Sequence, residues 1–323
     1  MPERFPRTAP ARRLRVAAAV IAVAVAFASA CSSDPAEPTG SGGGGDGTFP
    51  VTVASGPSGA ATEVTIDARP GAVVSLSPSA TETLWAVGAG EQVVAVDDQS
   101  DHPPGVPTTA LSGYSPNVEA IIGYTPDLVI AMDDVGGLVS GLRAAGVPTL
   151  LLPAAADLDE AYAQIERIGA ATGHLPEATA LVASMRTEVD AAVAAVPERA
   201  GPLRYFHELD DTLYTVSDDS FLGEVYGLFG LASIADGGEA YPQLSAEYVV
   251  EADPDLIFLA DGQCCGVTPE RVAARPGWAG MTAVRAGQVR VLDADVASRW
   301  GPRVVDLVRD IGAAVATVPA PVG

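Results

Sequence analysis

From residue 73 onward the chain alternates short apolar runs with amphipathic helical stretches, and this alternation restricts the fold more than any other feature. Residues 73–76, 93–96, 128–131 and 149–152 have the length and β-branched content of buried strands. Helical patterns separate them, which predicts a largely parallel sheet covered by helices. Ahead of this unit, residues 49–53 and 63–66 flank a Gly/Ser/Pro turn region and read as a hairpin. In SPSATETLWAVGAG, Ser79 and Glu82 have capping-box spacing and Gly88 ends the helix.

The alternation then resumes. Residues 157–197 keep a helical pattern with one interruption at 172–176, and Leu181, Met185 and Val189 fall on one face of it. Strands are predicted at 203–207, 213–216, 256–259 and 289–292, with helices near 221–229, 246–252 and 304–316. A chain of 323 residues exceeds what one core usually organises, so two lobes follow: 49–156 and 198–323, joined by 157–197. An internal echo relates them. Val118-Glu119 precedes Pro126-Asp127 and LVIA, as Ala246-Glu247 precedes Pro254-Asp255 and LIFLA, with the glutamate equally far from the turn.

The amino end is of another kind. Five arginines precede an apolar run too short to span a membrane, which is the layout of a secretion signal over residues 1–30. Ala28-Ser29-Ala30-Cys31 resembles a lipobox, making Cys31 the expected site of diacylation; simple cleavage after Ala30 and an uncleaved anchor are the alternatives. Residues 31–48 then form a Gly-rich tether. All 18 basic residues are arginine, and the net charge of −23 becomes −27 once the signal, with its five arginines and one glutamate, is removed. Such acidity excludes nucleic acid as a partner. No nucleophile-elbow, zincin, P-loop or dinucleotide-binding motif is present, so binding rather than catalysis is expected; an exported glycoside hydrolase with an unassigned carboxylate pair is the enzymatic alternative.

VVSLSPSATETLWAVGAGEQVVAVDDQSDHPP followed by GYSPNVEAIIGYTPDLVIA resembles the opening of the cobalamin and ferric-siderophore solute-binding proteins of ABC importers, the cobalamin-binding members above all. LSAEYVVEADPDLIFLA, RPGWAGMTAVRAGQVRVLD and SRWGPRVVDLV are similar to that family's second lobe. The resemblance implies an α/β fold of two Rossmann-like lobes joined by a single long helix, with ligand in the cleft between them. It also implies an ABC permease dimer and its ATPase as partners, a lipid-anchored extracytoplasmic location, and a monomeric body without a cofactor or metal of its own. By motif position it places Tyr114, Met132, Leu209, Asp295 and Arg299 against the ligand, and Glu119 and Glu247 against arginines of the permease.

The loops at strand ends, Ser79 among them, form the expected cleft. Asp97, Asp98, Asp101, Asp133, Asp134, Glu208, Asp210 and Asp211 crowd these loops, with Arg299 as the one clear cation. This balance favours a neutral or cationic corrinoid or ferric chelate over an anionic one. His207 is a candidate axial ligand for haem iron or cobalt. Cys264-Cys265 is read as a vicinal disulfide, with free thiols or a soft-metal pair as alternatives. A surface scaffold or sensor that keeps the fold without transport is the second functional reading.

Overall fold

The computed structural model describes residues 48–319 except 198, 200 and 236. The signal segment, Cys31 and the Gly-rich spacer lie outside the described residues.

β1 (Val51–Ser55) and β2 (Thr62–Ile66) form the predicted antiparallel hairpin. The first lobe follows as β3 (Val73–Leu76), α1 (Pro78–Ala86), β4 (Val93–Asp97), β5 (Thr108–Leu111), α2 (Val118–Ile122), β6 (Leu128–Ala131), α3 (Leu138–Ala144) and β7 (Thr149–Leu151). Its five parallel strands lie in the order β5-β4-β3-β6-β7. Next come α4 (Leu158–Thr172) and α5 (Leu175–Ala194). The second lobe comprises β8 (Leu203–Glu208), α6 (Phe221–Gly227), β9 (Leu231–Ser233), α7 (Ala246–Ala252), β10 (Leu256–Leu259), the short helices α8 (Gly262–Cys265), α9 (Pro269–Ala273) and α10 (Thr282–Arg285), β11 (Val289–Val291), α11 (Ala294–Ser298) and α12 (Val304–Thr317). Its sheet is parallel with order β11-β10-β8-β9.

The two sheets share one winding: β4-β3-β6-β7 corresponds to β9-β8-β10-β11. The echoed Pro-Asp turns have equivalent jobs at the starts of β6 and β10. Asp127 Oδ2 accepts from the amides of Gly71 and Ala72 just before β3 (2.9 and 3.1 Å), and Asp255 Oδ2 accepts from the Arg204 amide in β8 (2.8 Å). Each aspartate ties the start of its strand to the lobe's first strand, satisfying amides that precede or begin the ladder.

Alternate residues of the central strands feed different cores. In β6, Leu128 and Ile130 join an inner core while Val129 and Ala131 join an outer one; in β10, Leu256 and Phe258 point inward and Ile257 and Leu259 outward. The outer cores are separate, but the inner core is continuous through α1, α4, α5, α6 and α12 and so belongs to both lobes.

The helical segment 157–197 is two helices, which break at Gly173 (φ 78) because only a left-handed residue closes α4 with amide bonds back to Gly169 and Ala170. Of the two, α5 is the crossing. At its start His174 Nε2 lies 2.8 Å from Arg69 Nη2 beside the first lobe, and near its end Glu188 pairs with Arg309 of α12. Two expectations change. Residues 213–216 form no strand, only a bridge between Tyr214 and Gln243, and the cap of α1 is Ser77 rather than Ser79. Pro78 at the first helical position makes the preceding serine the cap.

Candidate ligand-binding cleft

A cavity of about 200 Å3 opens between the lobes. The first lobe lines it with carboxyl ends of strands: Ser77 and Ser79 after β3, Asp97 and Gln99 at β4, Gly113 and Tyr114 after β5, Met132 after β6. The second lobe contributes Asp295, Ser298, Arg299 and Trp300, from α11 and the turn into α12. This is where open α/β sheets bind ligands, because strand-end loops are free of ladder pairing. A more open groove of about 620 Å3 lies within the first lobe, at the amino ends of β6 and β7 and away from the cleft.

Ser79, Tyr114, Met132, Asp295 and Arg299 are thus brought together. Tyr114 is 72% exposed, an aromatic ring presented to solvent at the mouth. The backbone before it packs closely at Gly113, where a Cβ would sit 2.5 Å from the Leu76 carbonyl and 3.2 Å from Asp97 Oδ2. Trp300 is held by bonds from its Nε1 to Gln164 Oε1 (3.1 Å) and from its amide to Ser79 Oγ (3.3 Å). Asp97 is buried, and burial raises its pKa against the lowering effect of hydrogen bonding with Ser100; its Oδ1 has no partner.

Arg299 is not a free cation. It is 8% exposed, and its terminal nitrogens donate to Glu82 Oε1 (2.8 Å), Asp101 Oδ1 (3.1 Å from each), the Gln99 carbonyl (3.2 Å) and Asp295 Oδ1 (2.8 Å). Glu82 also accepts from Arg303, Nε at 2.9 Å and Nη2 at 2.6 Å. Burial disfavours the charge on Arg299, but Glu82 and Asp295 outweigh it and hold its pKa above the ordinary arginine value. Sequence spacing gave no sign of this cluster, since Glu82 and Arg299 are 217 residues apart.

Leu209 packs on the inner core and does not line the cavity. Neither does His207, which is fully buried at the end of β8, with Nδ1 2.8 Å from the Tyr226 hydroxyl, and is pushed down to about 4 by burial. An axial role for His207 is corrected: β-strand alternation turns it inward, not toward ligand. Of the acids expected to crowd the cleft, Asp98, Asp133, Asp134 and Asp211 face solvent, and Glu208 is buried in a bidentate pair with Arg275 (2.5 and 2.6 Å). Cys264 and Cys265 are joined in a disulfide at the exposed end of α8, which Gly266 caps, outside the cavity lining. Glu119 and Glu247 are exposed in the first turns of α2 and α7.

Residues 73–296, most of the chain and both lobes, match the periplasmic binding protein family. The chain belongs to that family. Among its relatives within the family, the cobalamin-binding protein of Halobacterium salinarum is 34% identical over 277 residues, 80% of this chain and 72% of that protein. An uncharacterized ABC transporter substrate-binding lipoprotein, YvrC of Bacillus subtilis, is 30% identical over 280 residues, 83% of this chain and 86% of its own length. The crystal structure of the periplasmic vitamin B12 binding protein BtuF of Vibrio cholerae superposes with a TM-score of 0.66 at 27% identity, covering 76% of this binding protein and 97% of BtuF.

Proposed function

We propose that this protein is the extracytoplasmic substrate-binding lipoprotein of an ABC importer, anchored through Cys31, which captures a corrinoid or ferric chelate in the inter-lobe cleft. The observation that carries the reading is the cleft itself: strand ends of one lobe face the α11–α12 turn of the other, and the exposed Tyr114 lines the same cavity as Met132 and Trp300. An aromatic face with apolar neighbours suits a broad, rigid ligand. The enclosed space is small, so a large chelate rests one face in it and extends across the mouth. Asp97, with an unpartnered oxygen, and Asp295 give the floor negative character, which favours a neutral or cationic ligand bearing N–H or O–H donors. Glu119 and Glu247, on topologically equivalent helices, are the proposed contacts to arginines of the permease dimer.

Trp300 in the cleft wall provides the test. The detergent-solubilised full-length protein is titrated with cyanocobalamin, dicyanocobinamide, ferrioxamine B, haem and a ferric tris-catecholate, following absorbance-corrected tryptophan fluorescence with calorimetric confirmation. Saturable one-to-one binding of a corrinoid or the hydroxamate is expected. Binding of none of them overturns the reading and favours a scaffold that has kept the fold.

A further inference from the structure

Arg299 is the only cationic side chain among the residues lining the cleft, yet its terminal nitrogens donate to protein acceptors. We infer that Glu82 is a specificity-determining positioning residue: by holding Arg299 away from the ligand, it makes the cleft select against anionic chelates. The inference deepens the proposed function and rests on the cleft being the ligand site.

Three carboxylates, Glu82, Asp101 and Asp295, surround two guanidiniums, Arg299 and Arg303. The cluster therefore carries an excess negative charge at the ligand's edge before Asp97 is considered. The partners are unequal. Side chains of Asp101 and Asp295 are 64% and 39% exposed, where water screens their pull on Arg299. Glu82 is 3% exposed and bonds both arginines across the lobes, so its hold is the least screened. It does not touch the ligand space itself; it acts through Arg299. Replacing its charge with a neutral group of the same shape leaves Arg299 with two charged partners, both screened, and brings the cluster to neutrality.

Matched ligands separate charge from shape. Dicyanocobinamide and dicyanocobyrinic acid share one macrocycle but carry amides or carboxylates; ferrioxamine B and its succinylated form share one chelate but end in an ammonium or a carboxylate. The full-length protein should bind the amide or ammonium member of one pair and discriminate against its anionic partner. Glu82→Gln should reduce that discrimination by roughly tenfold or more, and Glu82→Asp, which keeps the charge, should restore it. Asp101→Asn, on an exposed loop where folding is not at stake, should shift it the same way by less, and carries the test if Glu82→Gln proves unfolded by thermal melting. A wild type that binds one pair while folded variants weaken both members equally overturns the inference and leaves the proposed function standing. Failure of wild type and variants to bind any of the four overturns both.

Discussion

Asp261 and His207 are two fully buried titratable side chains, and they pull the protein's acid stability in opposite directions. Asp261 is raised to about 7 by burial and by the neighbouring Glu208 carboxylate, and neither of its oxygens has a partner. Its folded pKa lies above its unfolded one, so the folded state holds the proton and stability is lost as pH rises from about 4 to 7. His207 is lowered from 6.5 to about 4, so its neutral form is the folded one and stability is lost as pH falls through that interval, by roughly 3 kcal/mol in all. Over the same window the two effects offset each other. Asp261→Asn removes one of them, and urea unfolding between pH 4 and 8 should then reveal a steep fall below pH 6.5 that the wild type lacks. These roles were not legible in the sequence. His207 sits at a strand end, where a loop-facing orientation is as natural as an inward one, and only the strand's alternation in three dimensions decides between them. Glu82 is similar: its spacing from Ser79 suggested a local cap, whereas its partners come from the other lobe.

At the scale of elements, the central strands were readable because each is a run of apolar residues buried on both faces and bounded by turn residues, as in LVIA and LIFL. The edge strands β5, TTAL, and β9, LAS, were missed because short edges need no such runs. Residues 213–216 carry apolar alternation but lie outside either sheet, so pattern without a neighbouring strand misled. The break between α4 and α5 was visible, and its packing explains why it is tight. A Cβ on Gly169 would collide with the Ala178 methyl and come within 2.9 Å of the His174 carbonyl, so the turn from one helix into the other depends on that missing side chain. Gly169→Ala should cost about 1–3 kcal/mol by overpacking, read as a lowered urea midpoint with an unchanged m-value. An unchanged midpoint would mean that the α4–α5 junction yields more easily than its contacts imply.

For the whole molecule, the internal repeat has a mechanical consequence. Glu119 and Glu247 stand on α2 and α7, the helices leading into β6 and β10, which occupy equivalent places in the two sheets. The lobes bearing them share one inner core, are spanned by α5 and are joined by the Glu82 cluster. With so much continuous packing between lobes, the separation of the two glutamates should change little with ligand, since packed cores resist gradual deformation. Docking on the permease would then read a fixed pair of carboxylates, and a loaded protein would differ from an empty one at the cleft rather than in spacing. Reversing both charges, Glu119→Arg with Glu247→Arg, should leave ligand affinity in solution within about twofold, because both side chains are exposed and neither lines the cavity. Binding to the reconstituted permease–ATPase complex, and uptake with it, should fall by at least about tenfold, since like charges would now face each other. Empty and loaded wild-type protein should bind that complex with similar affinity. A large preference for the loaded form would instead require the lobes to move, and would break the link between the shared core and a fixed docking geometry.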